Sequence, residues 1–365
     1  MIMYKHKKSM KKEINIGKHI IGFEHPVYFI ADIAANHDGD IERAKDLIWK
    51  VADNGGQAVK FQNFFAETIV SDYGFKSLSG QKSHQSKWKK SIFEVYQDAS
   101  LPLEWATVLR ETANEAGVDY LTAPYDLNLI RKLDEYVCAW KLGSGDITWH
   151  EEIELLAKSG KPLLIATGAT SMQEVRYAVK VALNHTDNLV LMQCNTNYTA
   201  SIENFHYISL NVLKKYAYEW PNVILGLSDH TPGNVTVLGA VALGARVIEK
   251  HFTDNVCRDG PDHKFSMDEQ SWKEMILRTR ELEAALGTEE KKVMQNEQET
   301  VILQRRSVRT NRLITKGEII HNDDLSVLRP CPQDAIPPYR INEVLGKSIN
   351  RNIDKGDYIR INDLE

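Results

Sequence analysis

Only four cysteines occur in the 365 residues, Cys138, Cys194, Cys257 and Cys331, and no two of them form a C-x-x-C pair. That spacing offers neither a disulfide framework nor a cysteine zinc site, and it favours a reducing compartment, so a cytoplasmic location is expected. No apolar run approaches the roughly 18 residues of a membrane span, and the basic start KHKKSMKK is not followed by the apolar stretch of a signal peptide. Charge of one sign is scarce too. The net value is -5, and past the N-terminus the signs are interspersed, which leaves no basic footprint for nucleic acid. A small molecule is therefore the expected partner. A glycine-rich turn after the first apolar run is also missing, which counts against a doubly wound sheet without eliminating it.

What the chain does have is a rhythm. Apolar runs recur at Val27 to Ala34, Gln57 to Gln62, Val118 to Pro124, Cys138 to Ser144, Pro162 to Gly168, Leu189 to Asn195, Val223 to Asp229 and Arg246 to Phe252. Between them lie segments such as IERAKDLIWKVADNGG and MQEVRYAVKVALNH, with apolar residues three or four apart and Gly or Asn at the close. This count of strand and helix units predicts an α/β fold, a (β/α)₈ barrel occupying residues 1–287. One interval is too long. Residues 64–100 form either a surface excursion or a loop over the barrel mouth, and His84 and Trp88 within it receive no role. After Gly287 the pattern changes. A polar linker over 288–304 leads to a small β-rich domain over 305–365, in which ITKGEIIHNDDL and IDKGDYIRINDLE repeat one phrase.

In a (β/α)₈ barrel the reacting groups sit at the carboxyl ends of the strands. The polar residues ending these runs are Asp32, Asn36 and His37; Lys60 and Gln62; Thr122; Lys141, Ser144 and Asp146; Thr167; Thr196 and Tyr198; Ser228, Asp229 and His230; and Glu249, Lys250 and His251. His37 lies in an expected turn and reads more simply as a capping residue, and Thr167 with Gly168 as a turn. Lys60 and Lys141 stand inside otherwise apolar runs, where a lysine needs a partner or a rim. Two lysines, several hydroxyls and two imidazoles aimed at one mouth suit a phosphorylated anion and a divalent metal, with His230 and His251 as ligands from adjacent strands.

The motifs FIADIAANHDGD, AVKFQ, WKLGSGDI, ATGA, GLSDHT, GAVALGARVIEKHFT and GPDHKFSM, followed by the Lys-Gly tail, resemble the sialic acid synthase family from about residue 15 onward. The resemblance implies a barrel followed by an antifreeze-like (SAF) domain, and a homodimer in which that domain covers the partner's barrel. It implies condensation of phosphoenolpyruvate with an N-acetylmannosamine-type sugar aldehyde, with release of phosphate. Legionaminic or pseudaminic acid synthesis from a diacetamido sugar is the alternative acceptor chemistry. Carried over by position, Asp32, Lys60, Lys141 and Asp146 would be catalytic. Lys60, Thr122, Lys141, Ser144 and Ser228 would hold phosphoenolpyruvate, with Thr196 also in the substrate site. Gln62, Asp146, Tyr198 and Asp262 would meet the acylamino sugar, and Arg329 would reach the partner subunit's site. His230 and His251 would hold Mn²⁺, with Mg²⁺ or Co²⁺ also compatible.

The chain departs from familiar members of that family where Asp32 and Asp146 replace Glu, Ala166 replaces Ser, and Gln193 to Asn195 read QCN. Thr167 is the expected substitute for the lost serine hydroxyl. Two other readings predict different chemistry: a metal-dependent hydrolase or aldolase on the same barrel, active without phosphoenolpyruvate, and a non-catalytic carbohydrate-binding or ice-binding protein.

Overall fold

In the computed structural model, the described residues are 12–78, 85 and 88–365, so most of the basic start and His84 lie outside them. Two short antiparallel strands come first, β1 (Ile14–Ile16) and β2 (His19–Ile21), joined through Gly17 at φ +53°. This hairpin is not among the runs picked out by periodicity. Eight parallel strands then close a barrel: β3 (Tyr28–Asp32), β4 (Ala58–Asn63), β5 (Asp119–Pro124), β6 (Trp140–Leu142), β7 (Leu163–Ala166), β8 (Leu189–Cys194), β9 (Ile224–Asp229) and β10 (Val247–His251). Seven fall within the apolar runs, and β4 runs one residue past its own, to Asn63. Closure is made by β10 against β3, with Val247 opposite Tyr28 and His251 opposite Asp32.

Strand alternation divides the buried side chains into two cores. Tyr28, Ile30, Leu121, Leu164, Met192 and Val247 fill the barrel interior, where Ile14, Ile16 and Ile21 of the hairpin join them. Phe29, Val59, Trp140, Ile165, Leu191 and Ile248 instead face the surrounding helices. The helices are built to meet that outer layer. Asp40 caps helix Ile41–Asp53 by accepting from Glu42 N and Arg43 N, and the helix buries Ala44, Leu47, Ile48 and Val51 on one face. Residues 64–100 carry short helices at Ala66–Ile69, Asp72–Ser77 and Ile92–Ala99, the last closed by a Ser91–Glu94 capping box.

The chain divides after Gly287 into two compact units. The second contains helix Gln298–Gln304 and an antiparallel pair, β11 (Ser307–Thr310) and β12 (Leu325–Leu328), over a core that includes Val308, Ile314, Ile336, Ile353 and Ile359. Its repeated phrase is a repeated structure. Arg312 Nε donates to Asp324 Oδ1 at 2.6 Å, and twelve-residue spacing recurs where Arg351 Nε donates to Asp363 Oδ1 at 2.6 Å.

Candidate active site at the barrel mouth

At the carboxyl ends of the barrel strands lies a cavity of about 360 Å³. At its floor, Glu249 Oε1 receives Lys60 Nζ at 3.1 Å, Lys141 Nζ at 3.2 Å and Ser228 Oγ at 3.1 Å. Lys60 Nζ also reaches Asp32 Oδ2 at 2.8 Å. All four charged side chains are almost closed from solvent. Burial opposes ionisation of Lys60, Lys141 and Glu249, and the outcome follows the number of partners. Lys60 has two carboxylates, which overcome burial and hold its ammonium more strongly protonated than usual. Lys141 has only Glu249, and burial wins there, pulling its pKa down. Glu249 itself is held low, because the two lysines outweigh its own burial. Its second oxygen, Oε2, is buried with no hydrogen-bond partner.

Strand alternation explains which residues meet here. Ser228 and His230 point inward from β9 and its end, and Glu249 and His251 from β10, whereas Asp229 and Lys250 point out. Lys250 Nζ bonds Asp229 Oδ2 at 2.6 Å and Thr231 O at 2.5 Å, while Thr236 Oγ1 donates to the same aspartate at 2.7 Å. These two strand-end candidates are thus a buried structural pair outside the cavity.

His230 and His251 stand with ring centroids 5.3 Å apart, between Tyr198 and Phe265. His230 Nδ1 donates to Asn195 O at 3.0 Å, which leaves Nε2 as the lone-pair nitrogen. Cys194 lies against His230, and their contact raises the imidazole and lowers the thiol despite burial working against both. Burial drives His251 down to about 3 in spite of Asp32, whose Oδ2 is 3.4 Å from its Nε2, so this ring is neutral. Two imidazoles side by side at the mouth fit a divalent metal. Among the described residues no three His, Cys, Asp or Glu side chains form a complete metal-holding group, so further ligands would come from substrate and water.

The remaining predicted residues divide clearly. Gln62 Nε2 donates to Asp32 Oδ2 at 3.0 Å, and both border the cavity. Asp146 follows β6 in a single turn, Ser144–Asp146, and burial raises it to about 6. Asp262, raised to about 6 by burial, accepts from Ala35 N at 3.1 Å. Ser144, Thr196 and Tyr198 also line the cavity. Gly168 allows the two hydroxyls to converge: a Cβ there would lie 1.9 Å from Thr196 Oγ1 and 2.8 Å from Ser144 Oγ.

Thr122 does not open onto the cavity. Its hydroxyl is engaged by Asn63 Oδ1 at 2.6 Å and Phe61 O at 3.1 Å. Thr167 likewise donates to Met192 O at 3.0 Å and accepts from Tyr216 OH at 3.1 Å, which corrects its expected place as the substitute for a serine at Ala166. Asn36 and His37 are buried beside the mouth, and His37 accepts from Gly39 N at 3.1 Å as a turn residue. Arg329 belongs to the second unit. The long interval is resolved in favour of the mouth, since Phe64, Ile69, Trp88, Val95, Tyr96 and Ala99 form one wall of the cavity. Glu249 is the principal residue left without a role by the sequence reading. Its position two residues before His251 was the available signal, because period two places both on the same strand face.

The NeuB family sequence profile matches residues 47–291, and the SAF domain profile matches residues 305–365. The chain belongs to the NeuB family. It is 34% identical to the N,N'-diacetyllegionaminic acid synthase of Legionella pneumophila over 90% of this chain and 92% of that one. It is 30% identical to a pseudaminic acid synthase of Campylobacter jejuni, covering 93% of this chain and 97% of the other. The crystal structure of N-acetylneuraminic acid synthetase from Leptospira borgpetersenii superposes with a TM-score of 0.70 at 25% identity, over 80% of this chain and 96% of that chain. With NeuB relatives named as acid synthases, the protein is an enzyme, and its fold is the family's closed barrel with a C-terminal SAF domain.

Proposed function

We propose that this NeuB enzyme condenses phosphoenolpyruvate with the open-chain aldehyde of an acylamino sugar, giving a nonulosonic acid and phosphate. The observation that carries the reading is the arrangement of Lys60, Lys141, Ser228 and Glu249 directly beside the paired His230 and His251. The ammonium groups and hydroxyls bind the phosphate and carboxylate oxygens, with Ser144 and Thr196 completing the donor set. Carbon 3 of the enol forms the new bond to the sugar aldehyde carbon, the carbonyl π pair moves onto the aldehyde oxygen, which takes up a proton to become a hydroxyl, and carbon 2 becomes cationic. Water adds to carbon 2, and the tetrahedral product breaks its carbon–oxygen bond to phosphate. Fixed positive charge at Lys60 and Lys141 stabilises the departing anion. Asp32, held by Lys60 and Gln62, is placed to take the proton from the added water. His230 and His251 would hold the divalent metal, Mn²⁺ in the first instance, and a bound metal supplies Lewis-acid polarisation of the aldehyde.

Gln62, Asp146, Tyr198 and Asp262 take the sugar. A diacetamido acceptor is favoured over N-acetylmannosamine because the wall formed by Phe64, Ile69, Val95 and Tyr96 offers apolar contact for acyl and deoxy methyl groups. The named activities of the two synthase relatives point the same way. We further read the active unit as a cytoplasmic homodimer in which Arg329 serves the partner subunit's site.

The deciding assay is phosphate release from phosphoenolpyruvate with Mn²⁺ across 2-acetamido and 2,4-diacetamido sugars. Sugar-dependent release that stops on chelation supports the reaction; turnover surviving exhaustive chelation refutes the metal assignment, and sugar cleavage without phosphoenolpyruvate supports an aldolase instead. For the shared site, an Arg329→Ala chain mixed and exchanged with a His251→Ala chain should recover part of the activity that each lacks alone. No recovery from true heterodimers refutes sharing.

A further inference from the structure

Two of the chain's distinctive motifs, FIADIAANHDGD and GPDHKFSM, supply only Asp32 and Asp262 to the proposed reaction. We propose that their other polar residues are two halves of one clamp, centred on the Asp38 carboxylate, whose task is to position Asp262 for the acceptor sugar. The sugar role of Asp262 rests on the function proposed above; the clamp itself rests on geometry.

Closure of the barrel makes the first and last strands neighbours, with Asp32 opposite His251, so the loops following β3 and β10 leave side by side. The first loop turns sharply at Asp38 and Gly39, both left-handed at φ 52° and 73°, a conformation that Gly adopts freely and Asp tolerates. Asp38 Oδ2 then accepts from Arg258 Nε at 2.9 Å and Nη2 at 2.7 Å. Its Oδ1 accepts from His263 Nε2 at 2.9 Å. A carboxylate only accepts, so Nε2 carries a proton, and the other ring nitrogen meets Thr253 Oγ1 at 2.7 Å. Arg43 adds a second tie: it faces Asp38 at 3.2 Å and forks onto Asp254 at 2.7 and 2.6 Å.

The β10 loop is thereby fastened at Asp254, Arg258 and His263, and Asp262 lies within the fastened span. It is then aimed by two further contacts. Its Oδ2 accepts from Ala35 N at 3.1 Å, and its carbonyl accepts from Ser266 Oγ at 2.6 Å, which itself receives Asn36 Nδ2 at 2.9 Å. Gly260 makes the arrangement sterically feasible, since a Cβ there would lie 2.6 Å from His263 Cδ2. The span 254–262 contains no helix or strand and is otherwise held by local turn bonds such as Arg258 N to Asn255 O at 3.3 Å, so these side-chain bonds are what tie it to the neighbouring loop. A substrate-contacting carboxylate displaced by an ångström loses much of its effect on a positioned reactant. Asp38 is accordingly a positioning residue.

Asp38→Asn keeps the size and removes the charge, whereas Gly260→Ala displaces His263 with every charge intact. Each variant should raise KM for the sugar roughly tenfold or more, leave KM for phosphoenolpyruvate within about twofold, and be partly rescued in the first case by Asp38→Glu. Amide hydrogen exchange on the free protein should accelerate in 254–262 in both variants, while β8 keeps its protection. Unchanged exchange in that loop, a parallel rise in both KM values, or loss of protection extending through β8 would overturn the clamp. If the wild-type chain releases no phosphate with any sugar, the proposed reaction fails, and the exchange result alone then decides the clamp.

Discussion

Replacing Glu249 with Gln tests the electrostatic reasoning at the floor of the site. The carboxylate is buried and takes Lys60, Lys141 and Ser228 on one oxygen. Breaking a buried ion pair by removing one partner typically costs about 3–5 kcal/mol. Two features place this case at the lower end. Lys60 keeps Asp32 at 2.8 Å, and a Gln carbonyl can still accept from Ser228 and Lys141. A loss of about 3 kcal/mol in a barrel of this size corresponds to a drop in Tm of roughly 5 °C. The more specific signature is its pH dependence. Lys141, already depressed by burial, loses its only carboxylate and is depressed further. Between that lowered value and the ordinary lysine value, the unfolded chain binds more protons than the native one, so stability rises with pH. The deficit of Glu249→Gln should therefore be greatest near neutrality and shrink as pH rises toward about 10. Melts followed by circular dichroism in the presence of a chelator read both quantities. A Tm within about a degree of wild type, or a deficit independent of pH, would refute the argument.

Lys141→Met keeps much of the stem and removes the charge, so it should raise KM for phosphoenolpyruvate or lower kcat with little change in sugar KM; equal loss for both substrates points to a collapsed mouth. Asp146→Asn removes a carboxyl whose folded pKa is raised to about 6 by burial. The wild-type native state keeps that proton where the unfolded chain has lost it, so stability falls as pH rises from the ordinary aspartate value to about 6, and melts of the variant should show a weaker decline. Gly226→Ala would place a Cβ 2.8 Å from Val247 O and 2.9 Å from Met192 Cγ. Denaturant unfolding should show a loss of about 1–3 kcal/mol, partly recovered when Met192 is shortened to Val in the same chain.

The barrel was legible because each strand is a largely buried apolar run and each is followed by a helical segment, some of them capped and amphipathic, as at Ile41–Asp53 and Met172–Leu183. The β1–β2 hairpin was not, since six residues of strand within EINIGKHIIG carry too little alternation to separate from a polar leader. Strand ends identified the lysines, the imidazoles and Ser228, yet they could not distinguish inward from outward neighbours until alternation was applied. That is why Asp229 and Lys250 entered the same set as His230 and His251. Thr122 shows a different limit. Its position on β5 is at the rim, but its rotamer is set by Asn63 on the adjacent strand, a contact no single-strand pattern encodes. The cavity wall formed by Phe64, Ile69, Val95, Tyr96 and Ala99 was only one of two readings for a related reason: short helices pack over a mouth whose location only the closed barrel defines.

The chain builds two buried ion clusters on the same pair of strands and treats them oppositely. On the outer face, Asp229 receives Lys250, Thr231 and Thr236, so the carboxylate is heavily satisfied and the pair packs away from any cavity. On the inner face, one Glu249 oxygen serves three donors while the other has none, and His251 Nδ1 is also buried without a partner. Satisfying those atoms with protein groups would stabilise the fold, because buried polar atoms left unmatched are costly. It would also fill the floor with side chains and tie up Lys60 and Lys141, the groups proposed above to meet the anion. The outer cluster shows that this sequence can complete such a network one residue along each strand, at Asp229 and Lys250. The incomplete one is therefore the place that fits the proposed anion site, and it lies at the strand ends, where reacting groups sit in barrels of this kind.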